Sequence, residues 1–485
     1  MCIFGKGKNL RSFLALTERS YYMSKFTSLL ALSLISTVSL TACGQKQETG
    51  SEKKAVRELD ASVREHIRKN ANSTDLLTGE LENKKIKWLS TWDINPDESG
   101  KNVPTELAVF QERYGGEIEC IKVEYKDRYD RLSQAINGGE GIDFFYAGDL
   151  DAFPKGAIRS MFQPADDYVD FDSPLWDDVR DFNDGLEWNG KHYAVAVQVT
   201  GDYCSVIYNR KTVQEAGLPD PAELYYNNEW TWDTFEDMLD KFVDPSNQRY
   251  GIDGWWFEFG LIGTIGVPAV SLDNGVLVNN IGSPEMERVQ NWMYKLYNNN
   301  FIAIGSEDYG WEDKPSYVAE GKTLFYPCGL YQFYNAPEIW KKNFGEDVFF
   351  VPMPRDPNAD NYYIPVGMEA YTIVEGADNP EGVGKFLECK RFVLYDDDTR
   401  AICDKQMYED YGWTDEMIKM KDSMYELALA NPVIDVSKGI TQDCGELIDN
   451  SLRLTTRGVP WNETYDSISA VVEKYIDDVN KSSNQ

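Results

Sequence analysis

Residues 191–219 read KHYAVAVQVTGDYCSVIYNRKTVQEAGLP, and this stretch decides the fold. Tyr193, Val195, Val197 and Val199 alternate with small or polar residues, the period-two pattern of a strand. A second apolar run, Cys204 to Tyr208, ends at Asn209, which is placed to cap a helix over 211–216 that Gly217-Leu-Pro219 stops. Two strands separated by the polar break Thr200-Gly-Asp202, followed by a helix, describe a chain leaving one α/β lobe and entering another.

Working outward, the string WNGKHYA at 188–194 is followed by VIYNR at 206–210, AGLP at 216–219 and WTWDTF at 230–235. In this order and spacing they resemble the family 1 extracellular solute-binding proteins, the sugar receptors of ABC importers to which maltose-binding protein belongs. The resemblance covers nearly everything after residue 84. It implies a two-lobed α/β fold of the periplasmic-binding-protein type, each lobe a mostly parallel sheet flanked by helices, joined by hinge crossings. The stretch 191–219 is then the first crossing. The run 364–374, IPVGMEAYTIV, resembles the return crossing.

The 485-residue length suits about two to three domains. Acids outnumber bases 81 to 48, for a formal charge of −33. Nucleic-acid binding is not expected, because phosphate contacts need a basic face. Residues 23–43 read as a secretory signal: one lysine, an apolar run over 29–40, then small residues. The run is short and rich in Ser and Thr for a membrane span. Its ending, Leu40-Thr-Ala-Cys43, resembles the bacterial lipobox, which implies an acylated Cys43 (palmitate or a related chain) and Met23 as the start. The expected division is a signal peptide over 1–42 and a lipid-anchored tether over 43–83. Lobe I follows over 84–201 and 367–430, and lobe II over 202–366 and 431–481. A thin apolar stripe at Val56, Leu59, Val63 and Ile67 makes part of the tether helical.

Past residue 84, strands are expected over 85–92, 118–125 and 142–147, alternating with helices over 105–114 and 128–137. This βαβ order predicts a parallel sheet with ligands at the carboxyl ends of its strands. The rule selects Trp92 and Asp93 after the first strand and Tyr146 to Asp149 after the third. Beyond the crossing, helices are expected over 231–242, 284–298 and 380–395, strands over 323–326 and 348–351, and C-terminal helices within 441–457 and 463–479.

Catalytic patterns are sparse. Of the two histidines, His66 falls in the tether and His192 reads as a surface or supporting residue. Neither H-E-x-x-H nor G-x-S-x-G occurs, and Gly321-Lys-Thr323 leads into a strand where a phosphate loop would lead into a helix. Cys120, Cys204, Cys328, Cys389, Cys403 and Cys444 contain no CxxC pair; most lie in apolar runs and read as buried thiols, with no connectivity derivable. The acidic run over 166–184, DDYVDFDSPLWDDVRDFND, lacks the turn glycine and terminal glutamate of a calcium loop and reads as a solvated surface. No metal or cofactor is expected.

Aromatics carry more information. Sugar rings present apolar C–H faces and polar rims, so their sites combine aromatic platforms with carboxylates and amides. Trp92, Tyr146, Trp255, Trp256 and Tyr331 stand at strand ends or turns, with Asp93, Asp149, Gln198, Asp202, Gly367 and Glu369 on the same edges. The resemblance implies that Tyr331 stacks on sugar and that Asp202 is the polar residue preceding the hinge strand. The implied function is a monomeric, extracytoplasmic lipoprotein that captures a carbohydrate and hands it to ABC permease subunits, touching the bacterial membrane through its anchor alone. A surface glycoside hydrolase using two carboxylates and a sugar sensor without transport are the alternatives.

Overall fold

Ile86 and Trp88 turn to one side of the segment KIKWLS and Leu89 to the other, so this strand is packed on both faces. The computed structural model describes residues 61–95, 103–254, 256–307, 309–409 and 411–482. Its first five strands are β1 (Lys85–Ser90), β2 (Glu117–Lys122), β3 (Phe144–Tyr146), β4 (Phe162–Gln163) and β5 (Val195–Thr200). The remainder are β6 (Ser205–Asn209), β7 (Tyr250–Ile252), β8 (Val270–Asp273), β9 (Val276–Asn279), β10 (Thr323–Cys328), β11 (Val348–Pro352) and β12 (Gly367–Val374).

Two lobes follow from the pairing. One sheet has the order β2-β1-β3-β12-β4, with β5 also on β12; the other runs β11-β6-β10-β7. β1 is parallel to β2 and β3, and β10 is parallel to β7. The other main-sheet pairings are antiparallel, so both sheets are mixed where mostly parallel ones were expected. The physical reason is the crossing itself. A parallel neighbour needs a helical crossover, whereas β5, β6 and β12 join strands of different sheets and enter against their neighbours' direction. A small hairpin, β8-β9, turns at Asn274-Gly275, both with positive φ as a two-residue turn requires.

Local chemistry explains most helix ends. Asn209 accepts a hydrogen bond from Thr212 N, and the helix Arg210–Glu215 follows. Thr231 and Thr234 form a reciprocal capping box on Trp232–Phe242. The WTWDTF string is therefore core: Trp230 is fully buried, with its indole donating to Pro352 O at 2.9 Å, and Trp232 stacks on Trp292 at 4.3 Å. In the first lobe, helices Thr105–Tyr114 and Pro380–Tyr395 cover one sheet face and Arg128–Gly138 the other. Each fully buried large apolar side chain contributes about 1.5–3 kcal/mol.

Four expectations change. Residues 61–83 are packed onto the first lobe and do not serve as a spacer. Ile67, Ala71, Leu77 and Leu81 are buried, Arg113 donates to Leu77 O (3.0 Å) and Tyr114 to Thr78 O (3.0 Å). The acidic run over 166–184 is one-sided: its aspartates other than Asp166 face water, Asp166 turns in to His192, and Leu175, Trp176, Val179 and Phe182 enter the core. Of the two readings of His192, surface or supporting, burial removes the first. Helix Asp415–Ala430 packs on β5 and β11 and so touches both sheets, where it was expected in the first lobe alone. The signal segment, Cys43, the tether to residue 60 and Trp255 lie outside the described residues. No helix among the described residues is long and apolar enough to cross a membrane. The six thiols from Cys120 to Cys444 are unpaired, with Cys204, Cys328, Cys389 and Cys444 buried.

Candidate functional site

Three segments connect the sheets side by side. Gly201 to Cys204 leads from β5 into β6, 353–366 leads from β11 into β12, and the chain after helix Asp415–Ala430 bridges to Pro365 at Val433. Gly201 is required here, since a Cβ would stand 2.2 Å from Met424 O. Asp202 secures the first crossing: it accepts from Thr200 Oγ1 (2.5 Å) and Tyr425 Oη (3.0 Å), and its carbonyl accepts from Leu330 N (3.1 Å).

Beside these crossings lies a cavity of about 190 Å³. Tyr125, Asp149 and Asp151 bound it from the first sheet, Trp256, Phe259 and Ile262 from the second, and Tyr203, Met368, Asp435, Lys438 and Asp449 from the crossings and the C-terminal segment. The first-lobe residues follow the carboxyl ends of β2 and β3, and Trp256 follows β7, as the strand-end rule requires. Gly148 makes the turn after β3 possible: a Cβ there would lie 2.1 Å from Tyr146 Oη and 2.4 Å from Met368 O, atoms that bond each other at 3.2 Å.

Asp149 accepts from Tyr125 Oη at 3.1 Å, and the Arg128 guanidinium sits 3.5 Å from the Tyr125 ring centroid. Across the cavity, Arg453 lies 4.6 Å from the Phe259 ring and 5.9 Å from the Trp256 ring, and pairs with Asp449 at 3.0 Å. The arrangement combines aromatic faces with carboxylates, which suits a polyhydroxylated ring. Burial in the cleft, and then the charge of Asp151, push the Asp149 carboxyl above its ordinary range. A raised pKa means that the charged acceptor is lost at a higher pH than for a free aspartate, near 3.9. Ligand affinity is therefore expected to fall on acidification at a higher pH than an ordinary aspartate would impose, a dependence that Asp149→Asn should remove when binding is titrated against pH.

Of the expected site residues, Asp149 and Trp256 line this cavity. Trp92 is 42% exposed and stands edge-on to Tyr146 at 5.1 Å, while Asp93 accepts from Asn95 N and Nδ2, closing a turn. Tyr331 is 62% exposed after β10, its hydroxyl taking a bond from Cys328 Sγ. Gln198 lies opposite Glu369 in the β5–β12 pair, and Gly367 opposite Thr200. Glu369 points away from the cavity that its neighbour Met368 lines. It pairs with Lys390 (2.7 Å) and accepts from Tyr371 Oη (2.6 Å). Burial alone would raise the Glu369 carboxyl; the Lys390 charge outweighs it and holds the group low. Trp255 is outside the described residues.

Sequence reasoning missed Tyr125, Tyr203, Asp435, Lys438 and Asp449. Tyr125 was within reach of the strand-end rule but was absorbed into a strand drawn to 125, whereas β2 stops at Lys122. The others reach the cavity through tertiary packing and carry no local signature.

Residues 107–408 match the family model described as bacterial extracellular solute-binding protein. A stretch of 155 residues is 29% identical to the maltotriose-binding protein of Pyrococcus abyssi, spanning 31% of this chain and 31% of that relative. Among solved structures, a cyclo/maltodextrin-binding protein complexed with maltotetraose is similar at TM-score 0.57 and 14% identity, covering 82% of this chain and 99% of the other. An ABC transporter associated binding protein from B. animalis subsp. lactis, in complex with beta-1,6-galactobiose, is similar at TM-score 0.55 and 16% identity, covering 82% and 98%. At these identities the structural likeness bears on the fold.

Proposed function

Since the chain belongs to the bacterial extracellular solute-binding proteins, we propose that it captures a carbohydrate between its lobes and delivers it to the permease of an ABC importer. The observation that carries this reading is the cavity at the crossings, where Trp256 and Tyr125 offer ring faces beside Asp149. Sugar-bound proteins among the structural neighbours support it. Binding draws the lobes, bounded near residues 202, 367 and 431, around the ligand by hinge motion, and the ligand leaves chemically unchanged. Trp92, Tyr146 and Tyr331, at strand ends flanking the cavity, extend the surface to further sugar units.

Maltotriose and beta-1,6-galactobiose are the probes to titrate. Solution scattering on a saturated complex is expected to give a smaller radius of gyration than the free protein, and chromatography should return the sugar intact. A saturated complex with the free protein's scattering curve contradicts closure, and cleaved sugar contradicts a pure binder. The protein works outside the cytoplasm, as a monomer held to the membrane by an acyl chain on Cys43. Cys43→Ala is expected to abolish labelling by a fatty-acid probe and release the protein from the membrane fraction; undiminished labelling refutes the anchor.

A further inference from the structure

On the first lobe, away from the cavity, the end of the acidic run and the turn after it bring two carboxylates, Asp184 and Glu187, to the buried His192 ring. The His192 side chain is 8% exposed, and its Nε2 lies 3.4 Å from Asp184 Oδ1 and 3.7 Å from Glu187 Oε1. One ligand atom from each of the three falls within 4.8 Å of the others. The imidazole is fixed from behind. Asp166 accepts from His192 N through Oδ2 (3.1 Å) and faces Nδ1 through Oδ1 (2.9 Å), and Phe171 stacks on the ring at 4.2 Å. A carboxylate can only accept, so the proton shared with Asp166 sits on Nδ1, and Nε2 is the ring atom turned toward two more carboxylates. Among the described residues, no lysine or arginine forms an ion pair with Asp184 or Glu187. A positive charge among these groups, a metal ion or a proton on Nε2, balances the two carboxylates in front of the ring.

We propose that His192, Asp184 and Glu187 bind a divalent transition metal of the zinc class, with Asp166 as the positioning residue that sets the imidazole tautomer. Bonds of about 2.0–2.1 Å in a tetrahedron place neighbouring ligand atoms about 3.3 Å apart, close to the two nitrogen–oxygen separations here. One nitrogen and two carboxylates suit zinc better than calcium or magnesium, which take mainly oxygen ligands in larger number. Carboxylate support behind a ligating histidine is the usual outer-shell arrangement. The ligands come from the end of helix Arg180–Asp184, the following turn and the chain entering β5, so the ion would pin this segment beside the hinge strand.

The test is titration calorimetry of the metal-stripped full chain with zinc chloride, with calcium chloride in parallel. One saturable zinc equivalent is expected, with calcium much weaker. Asp184→Asn and Glu187→Gln, both at solvent-reaching positions, should each weaken zinc at least tenfold, and Asp166→Asn about tenfold through the ring's orientation. Zinc at a hundredfold excess over Kd should raise the wild-type melting temperature by at least about 2 °C and leave the Glu187→Gln protein unmoved. No saturable zinc binding overturns the proposal. So does zinc binding that both carboxamide variants retain, or calcium binding of equal strength, since each points to a diffuse acidic surface or to a proton as the only cation. If His192→Gln does not fold, the exposed carboxylate variants still decide.

Discussion

Trp256→Ala is expected to weaken oligosaccharide binding about thirtyfold, or ~2 kcal/mol, while the melting temperature of the free protein hardly moves. Trp256 precedes the helix Phe257–Gly263 and leaves 44% of its surface to water, so folding gains little from its ring. Ligand binding gains more, because a ring face in the cavity loses water only when a sugar covers it. Its sequence neighbour provides the contrast. Phe257 is 2% exposed, and Phe257→Ala should cost ~3–5 kcal/mol of stability through the hole that it leaves. Calorimetry and a melt on both variants separate platform from core. A Trp256→Ala protein that is destabilised yet binds with parent affinity would move this ring into the core. The same pair of measurements on Tyr331→Ala, exposed but outside the cavity, reports whether the ligand reaches past the crossings.

Arg391→Met is expected to destabilise the fold by about 2–6 kcal/mol, because two buried carbonyls each lose their donor at about 1–3 kcal/mol apiece. Arg391 is 2% exposed within helix Pro380–Tyr395. Its Nε donates to Leu175 O (2.7 Å), its Nη1 to Val197 O (2.6 Å), and its Nη2 to Asp178. One guanidinium thereby joins the helix, the apolar side of the acidic run and hinge strand β5. Methionine matches the stem but leaves two buried carbonyls without that donor. Adding Asp178→Asn should restore little, because the carbonyls and not the partly exposed aspartate carry most of the loss. Urea unfolding of the three proteins measures this. A full recovery in the double variant would assign the cost to the ion pair alone.

These two residues mark what each level of information decides. The sequence by itself determined that 191–219 is a crossing between α/β lobes, because strand period, the Asn209 cap and the Gly217 stop act within a few residues. Helices Thr105–Tyr114, Pro284–Asn298 and Pro380–Tyr395 were legible to the residue, since caps, prolines and apolar stripes are local. The strand-end rule also reached Asp149, and aromatic placement reached Trp256. Tertiary structure alone decided the rest. Period two says that Met368 and Glu369 face opposite ways, but only packing shows that Met368 faces the cavity and Glu369 faces Lys390. Asp435, Lys438 and Asp449 enter the cavity because the chain after helix Asp415–Ala430 returns beside Pro365, a contact between distant residues with no local imprint. His192 read as a surface or supporting residue because one histidine beside a strand carries no spacing to interpret. Its burial, and the carboxylates around its ring, arise from folding the acidic run back over the sheet, which places Asp166, Asp184 and Glu187 within reach of a single imidazole.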